Sequence, residues 1–270
     1  MPIQYKSVEE IQAMRVAGII VGETLELIRQ SIAVGMTTNE LDEIAGEHIR
    51  ARGAIPSFKG YGFPAFPGTI CASINDEIVH GIPGNRVIDD GDVVSIDCGA
   101  IFAGWHGDAA FTVGVGRVDP KDQAMIDTCQ ASLWAGIAAA RIGGYVSDIG
   151  HAVERSIKSR GRYGILQEYT GHGIGTEMHQ EPHVPNYGKP GRGPELVPGL
   201  ALAVEPMITR GSHRNRTLAD EWTVVSLDHS RAAHFEETFT LMPDGRPYVL
   251  TSLDGGRSAL AQLGVEAYAD

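Results

Sequence analysis

Apolar positions in the first fifty residues recur with a helical period. Ser7 and Glu10 are spaced as a capping-box pair, and an apolar stripe follows to about Val34, where Gly35 breaks it. Thr37 and Glu40 make a second such pair, after which Leu41, Ile44, Ala45 and Ile49 share a helical face until Gly53. Residues 56–69 (PSFKGYGFPAFPGT) are a loop of Gly, Pro and aromatic residues. The period then shortens to two, and the runs 70–74, 93–101 and 105–115 read as strands. Asp119 and Pro120 open a third helix, with proline at its first position, which runs to about Arg141 and stops at Gly143 and Gly144. Ser147 caps a fourth, with Ile149, Val153 and Ile157 on one side. Residues 171–199 are rich in Gly, Pro and His, and strand-like runs follow at 200–205, 222–227, 234–242 and 248–250. The order of helices, hairpin, helices and strands predicts an α+β fold, an antiparallel sheet with helices on one face. No composition break marks a linker, so one domain over residues 1–270 is expected.

Side chains alternate along a strand, so each run can be split into two faces. Val94, Ile96 and Cys98 share one face of the 93–101 run; Ser95, Asp97 and Gly99 share the other. In the next run Ala109, Phe111 and Val113 oppose Asp108, Ala110 and Thr112. Leu200, Leu202 and Val204 oppose Ala201, Ala203 and Glu205, and Phe235, Glu237, Phe239 and Leu241 oppose His234, Glu236, Thr238 and Thr240. Each strand has a greasy side suited to helices and a small, polar side carrying one acid. If the first two strands turn at Ala103 and Gly104, Phe102 faces Trp105, Asp97 faces Ala110 and Gly99 faces Asp108. Asp97 and Asp108 then become diagonal neighbours about 7–8 Å apart along the backbone. Carboxylates that close repel unless something positive sits between them, and a bound dication is the usual remedy.

Composition narrows the function. At 270 residues, 43% hydrophobic and 21% charged, the chain is ordinary for a globular protein and long enough to bury a sizeable core. Its 34 acidic and 22 basic residues give a net charge of −12, which argues against a nucleic-acid partner and against an anionic membrane surface. No apolar stretch reaches the roughly 20 residues a membrane helix needs, and the opening MPIQYKSVEE is no secretory signal, so a cytoplasmic protein is expected. Three cysteines, Cys71, Cys98 and Cys129, lack CxxC spacing and suggest neither a disulfide framework nor a thiolate zinc site.

Six strings give the chain a resemblance: CASINDEIVHGIP at 71–83, DGDVVSIDCGA at 90–100, HGDAAFT at 106–112, GHGIGTEMHQEP at 171–182, VEPM at 204–207 and FEET at 235–238. As an ordered set spanning roughly residues 7–250 they resemble the type I methionine aminopeptidases, which share the two-metal creatinase/aminopeptidase fold nicknamed pita bread. The resemblance implies five metal ligands, Asp97, Asp108, His172, Glu205 and Glu236. Asp108 and Glu236 would bridge two dications, Asp97 would complete one shell, and His172 and Glu205 the other. Four carboxylates match the charge of two divalent ions, and hard oxygen donors with one imidazole favour Mn, Fe(II) or Co, with Zn also admissible. Strand parity separates Glu236, on the polar side, from Glu237, on the phenylalanine side.

The same resemblance implies that His179 donates a hydrogen bond to the scissile carbonyl oxygen, that His80 contacts the substrate amide nitrogen, and that Glu205 shuttles a proton. A hydroxide held between two metals would attack the first peptide bond, and a tight second subsite would admit only small side chains. Tyr61, Phe63, Phe66, Cys71, Met178 and Trp222 match or neighbour positions lining the family's pocket for the methionine side chain. This chain departs from the family with Phe63 and Phe66 where tyrosine is common and Met178 where phenylalanine is common. An apolar slot partly lined with sulfur suits a flexible thioether. His106 is expected to be structural, and His48, His151, His213 and His229 to lie at the surface.

Two rivals stand beside this reading. Proline-specific peptidases of the same fold usually carry a further N-terminal domain, and none is expected here. A non-catalytic binding module would have lost metal ligands, and all five are present. Short segments between His172, Glu205 and Glu236 leave no room for the inserted subdomain of type II enzymes. The expected partners are N-terminal Met peptides and nascent chains near the ribosome, and the expected state is a monomer.

Overall fold

Both capping boxes close in the computed structural model, which describes residues 3–269. Ser7 Oγ accepts from the Glu10 amide at 3.2 Å while Glu10 Oε2 accepts from the Ser7 amide at 2.8 Å. Thr37 and Glu40 repeat the exchange. Such caps stabilise a helix start by about 1 kcal/mol each, and they begin α1 (Val8–Ser31) and α2 (Thr38–Ala51). Pro120 opens α3 (Pro120–Ala139) behind the Asp119 cap. The fourth helix, α4 (Val146–Arg160), starts at Tyr145 rather than at Ser147, because Asp148 reaches back to the Tyr145 amide at 2.9 Å and Ser147 Oγ instead accepts from Arg192 N. A short α5 (Arg257–Ala261) lies near the C-terminus.

The hairpin has the register that alternation predicts. Val93–Phe102 and Trp105–Gly114 pair antiparallel with Phe102 opposite Trp105, Asp97 opposite Ala110 and Gly99 opposite Asp108. Ala103 (φ +49°) and Gly104 (φ +83°) make the two-residue turn, both in the left-handed conformation that such tight hairpins require. Val93–Phe102 also pairs with Ile70–Ile74 and Ile55–Pro56. A second, five-stranded antiparallel sheet has the order Pro247–Val249, Glu237–Leu241, Leu202–Val204, Gly171–Gly173, Gln180–Val184.

Between the helices and the greasy strand faces sits the main core, including Ile20, Ile28 and Ile49 from α1 and α2, Ile96 and Phe111 from the hairpin, and Leu133, Ile137 and Ile149 from α3 and α4. Burying each such side chain contributes roughly 1.5–3 kcal/mol. Among the described residues no helix is long and apolar enough to cross a membrane.

The run 234–242 is not one strand. It divides into Ala232–His234, paired with Met207–Thr209, and Glu237–Leu241, paired with Leu202–Val204. Pro206 lies between the two partner strands and has no amide to donate, so the ladder is interrupted there. At the gap Glu236 turns to the hairpin instead: its amide donates to Ala110 O at 2.9 Å and its carbonyl accepts from Ala110 N at 3.2 Å. That exchange joins the two sheets and sets the position of the site.

Candidate metal centre

Two threonine hydroxyls secure the junction between the sheets. Thr238 Oγ1 donates to Asp108 O at 2.8 Å, and Thr112 Oγ1 donates to His234 O at 2.7 Å while accepting from His234 N at 2.8 Å. Asp97 and Asp108 therefore look from the hairpin toward Glu236. Glu205 comes from the far side: it directly follows Val204, the residue paired with Glu237.

His172 enters from the neighbouring strand, opposite Ala203. Its flanking glycines are needed there. A Cβ on Gly171 would lie 2.2 Å from Ala203 O, and one on Gly173 would lie 2.2 Å from Glu181 O. His172 Nδ1 donates to Gly173 O at 3.0 Å, which leaves the Nε2 lone pair facing the acids. Nε2 stands 3.5 Å from Glu205 Oε1 and 3.9 Å from Glu236 Oε1.

The electrostatics call for a cation. Burial holds the Asp97 carboxyl up at about 7. Asp108, Glu205 and Glu236 are pushed well above the ordinary carboxylate range, first by burial and then by one another's charge. Burial also lowers His172 to about 3, so its ring is neutral and able to ligate. Asp97 Oδ1, Asp108 Oδ1, Glu236 Oε1 and His234 Nε2 are buried and have no hydrogen-bond partner in the protein. Orphaned buried polar atoms are costly unless something satisfies them. Asp108, His172 and Glu236 bring one donor atom each within 4.8 Å of one another, and so do Glu205, His234 and Glu236. This donor set, rich in oxygen with imidazole nitrogen, fits divalent metal ions.

All five sequence-derived ligand positions line one cavity of about 250 Å³. His80 and His179 line it too, as do Tyr61, Phe66, Cys71, Met178 and Trp222. Phe66 meets the Trp222 ring edge-on with centroids 5.2 Å apart, and Trp222 Nε1 donates to Pro64 O at 3.0 Å. Phe63 is the exception: it is 100% exposed and takes no part in the cavity. The chain turns at Gly62 (φ +73°), which packs so closely beneath Trp222 that a Cβ would lie 2.6 Å from the ring, and leaves the cavity before Phe63. Phe58, Tyr169 and Thr170 complete the wall. Phe58 belongs to the same Gly/Pro/aromatic loop, but nothing in the sequence marked it above Phe63.

The remaining histidines divide clearly. His106 is buried and bonded to Ser57 Oγ at 3.0 Å. His229 is exposed, and His48, His151 and His213 are partly exposed at the surface, His151 with Nδ1 2.9 Å from Gly188 O. Glu237 lies on the other side of the strand from Glu236, where it accepts from Thr251 Oγ1 and burial raises it to about 7. His234, which parity puts on the polar face, is 2% exposed and lies beside Glu205 and Glu236.

Hard oxygen and imidazole donors at the seam of an α+β frame, opening into a largely apolar cavity, describe a divalent-metal site with room for an apolar side chain. Residues 12–242 match the profile of metallopeptidase family M24, and the chain belongs to that family. Methionine aminopeptidases of Clostridium acetobutylicum and Mycobacterium tuberculosis are 47% and 48% identical to it, over 91% and 92% of this chain and 97% and 95% of theirs. The crystal structure of methionine aminopeptidase from Thermotoga maritima matches with a TM-score of 0.89 at 36% identity, covering 93% of this chain and 99% of that one. Within M24 the chain thus stands with the type I methionine aminopeptidases of bacterial kind, in the pita-bread fold. Prolidase from Pyrococcus furiosus shares the fold alone, with a TM-score of 0.73 at 21% identity, covering 92% of this chain and 65% of that one.

Proposed function

We propose that the chain removes the N-terminal methionine from peptides and nascent proteins, preferring a small second residue, with two divalent cations held by Asp97, Asp108, His172, Glu205 and Glu236. The observation that carries this reading is the junction itself: four mutually repelling carboxylates, Asp108 and Glu236 buried and Asp97 and Glu205 partly so, stand beside an apolar slot containing Cys71 and Met178. Divalent ions held by these five residues would supply a water activated for attack near neutral pH and Lewis acidity at the scissile carbonyl.

The protein's own groups do the rest. Phe66, Cys71, Met178 and Trp222 take the methionine side chain, with Tyr61 at the rim. A free amino terminus faces the carboxylates, and an internal peptide has no such group to present. His179 donates to the carbonyl oxygen as negative charge develops there, a contribution of roughly 3–4 kcal/mol for a well-placed donor. His80 holds the amide nitrogen. Glu205 takes the proton from the attacking water and passes it to the leaving amine. Residues 1–270 form one catalytic domain, which acts as a cytoplasmic monomer on chains emerging from the ribosome.

The test uses metal-free protein reloaded with Mn, Fe(II), Co or Zn. Met-Ala-Ser should be cleaved after reloading and not before. Cleavage of Xaa-Pro peptides in preference to Met-Ala-Ser would overturn the assignment.

A further inference from the structure

His234 is a buried imidazole that the five-ligand scheme leaves without a task. Its ring is 2% exposed and Nε2 has no hydrogen-bond partner in the protein. A buried nitrogen of this kind costs about 1–3 kcal/mol if nothing meets it. Its surroundings are specific. Nε2 lies 3.7 Å from Glu205 Oε2 and 3.9 Å from Glu236 Oε2. Across the same two carboxylates, His172 Nε2 lies 3.5 Å from Glu205 Oε1 and 3.9 Å from Glu236 Oε1. Each glutamate thus turns one oxygen toward each imidazole.

We infer that His234 is a sixth protein ligand of the metal pair, contributing a second imidazole through Nε2. The inference deepens the proposed two-cation centre and rests on it.

The distances separate ligation from hydrogen bonding. At 3.7 and 3.9 Å the ring makes no hydrogen bond to either acid. Donors sharing one ion at about 2.0–2.2 Å stand roughly 3–4 Å apart, and these separations fall in that range. The backbone is held to match. Thr112 Oγ1 clamps both the amide and the carbonyl of His234, and Ser95 Oγ lies 2.7 Å from the same hydroxyl. With its one proton committed to His234 O, Thr112 accepts from Ser95. A chain of two hydroxyls on the hairpin thereby fixes where the ring enters. Glu205, His234 and Glu236 form a triad whose donor atoms lie within 4.8 Å of one another, distinct from the triad containing His172. A second imidazole on a site otherwise rich in carboxylate shifts its preference toward metals that accept nitrogen, such as Co, Fe(II) or Zn, over Mn.

The experiment loads wild-type protein, His234→Ala, His234→Asn and His172→Ala with two equivalents of Co(II). X-ray absorption counts the imidazoles per metal pair, and chelator competition gives the affinities. Two imidazoles are expected in wild type and one in each variant, with at least tenfold weaker binding of one Co(II) in both His234 variants. One imidazole in wild type, or an unchanged count and affinity in the His234 variants, overturns the inference. If His172→Ala is also unchanged, the two-cation reading fails with it; if only His172→Ala changes, that reading stands and the His234 assignment alone falls. Should a His234 variant misfold, the wild-type count still decides.

Discussion

The Tyr61 hydroxyl lies 2.7 Å from Nδ1 of His179. A phenol is a stronger acid than a neutral imidazole N–H, and an imidazole nitrogen is a stronger base than a phenol oxygen, so the hydroxyl donates. Nδ1 is then the acceptor and Nε2 carries the proton, the tautomer needed to donate to a carbonyl oxygen. Tyr61→Phe keeps the ring and removes this constraint. It is expected to lower kcat about tenfold, the worth of one hydrogen bond of about 1.4 kcal/mol, while KM changes little. Steady-state kinetics measure the split, and ¹⁵N shifts of the His179 ring should show the tautomer populations becoming mixed. An unchanged kcat would remove Tyr61 from the mechanism.

Asp108 sits in mutual repulsion with Glu236 and Asp97. Asp108→Asn should therefore act in opposite directions with and without metal. The metal-free variant should melt higher than metal-free wild type, at roughly 2–4 °C per kcal/mol of relieved repulsion in a chain of this size. Added Co(II) should raise the wild-type melting temperature and leave that of the variant nearly unmoved, with activity lost. Calorimetric melts with and without Co(II) check both signs, and a variant stabilised by metal as strongly as wild type contradicts a ligand role for Asp108.

The family resemblance puts both Phe63 and Trp222 in the pocket, but only Trp222 lines it. Phe63→Ala should leave kcat/KM on a Met-Ala peptide within about twofold, since an exposed side chain away from the site contributes little. Trp222→Ala removes a wall that packs on Phe66 and Gly62, and should lower kcat/KM at least tenfold, mainly through KM, because it opens an apolar slot worth about 1–3 kcal/mol. Equal effects of the two substitutions would show that the loop closes differently in solution.

Asp254 supplies a pH-dependent element outside the cavity lining. Desolvation raises its carboxyl, but hydrogen bonds from the Ser258 hydroxyl and amide, the Ser252 hydroxyl and the Gly256 amide outweigh that and hold it at about 2, against 3.8 for a free aspartate. The folded state therefore binds its proton less readily than the unfolded chain does. The resulting stability is fully present above about pH 4 and is lost as the pH falls toward 2. Asp254→Asn should cost about 1 kcal/mol at pH 7, after allowance for solvent screening, and the difference should shrink as the pH is lowered below 4. Urea unfolding of both proteins at pH 7, 5, 4 and 3 measures it; a difference that grows on acidification would reverse the assignment.

Much of this site was legible because alternation is rigid. In the hairpin, a two-residue turn at Ala103 and Gly104 fixes every pair from Phe102–Trp105 to Val93–Gly114, so the placement of Asp97 and Asp108 follows from one local feature. The Glu236/Glu237 distinction followed in the same way, and the two side chains do face opposite sides of the strand. What escaped the sequence depends on distant segments meeting. Phe63 differs from Tyr61 only through the turn at Gly62 beneath Trp222, a residue from another part of the chain. The break between His234 and Glu237 arises because Pro206 interrupts the partner strands, and it is this break that frees Glu236 to bridge to Ala110. His234 was assigned to the correct face, but its nearness to Glu205 comes from the pairing of Ala232–His234 with Met207–Thr209, which no spacing encodes.

Two adjacent glutamates also bear on how the fold protects its chemistry. A slip of one position along Glu237–Leu241 would still deliver a carboxylate to the seam, so acidity alone does not distinguish the right alignment from the wrong one. The penalty falls on Phe235 and Phe239, which would leave the oily interior for the ionic cage. The two aromatic rings therefore act as the proofreaders of which glutamate reaches the seam, and a mutation that made them polar would endanger the proposed centre without touching any of its proposed ligands.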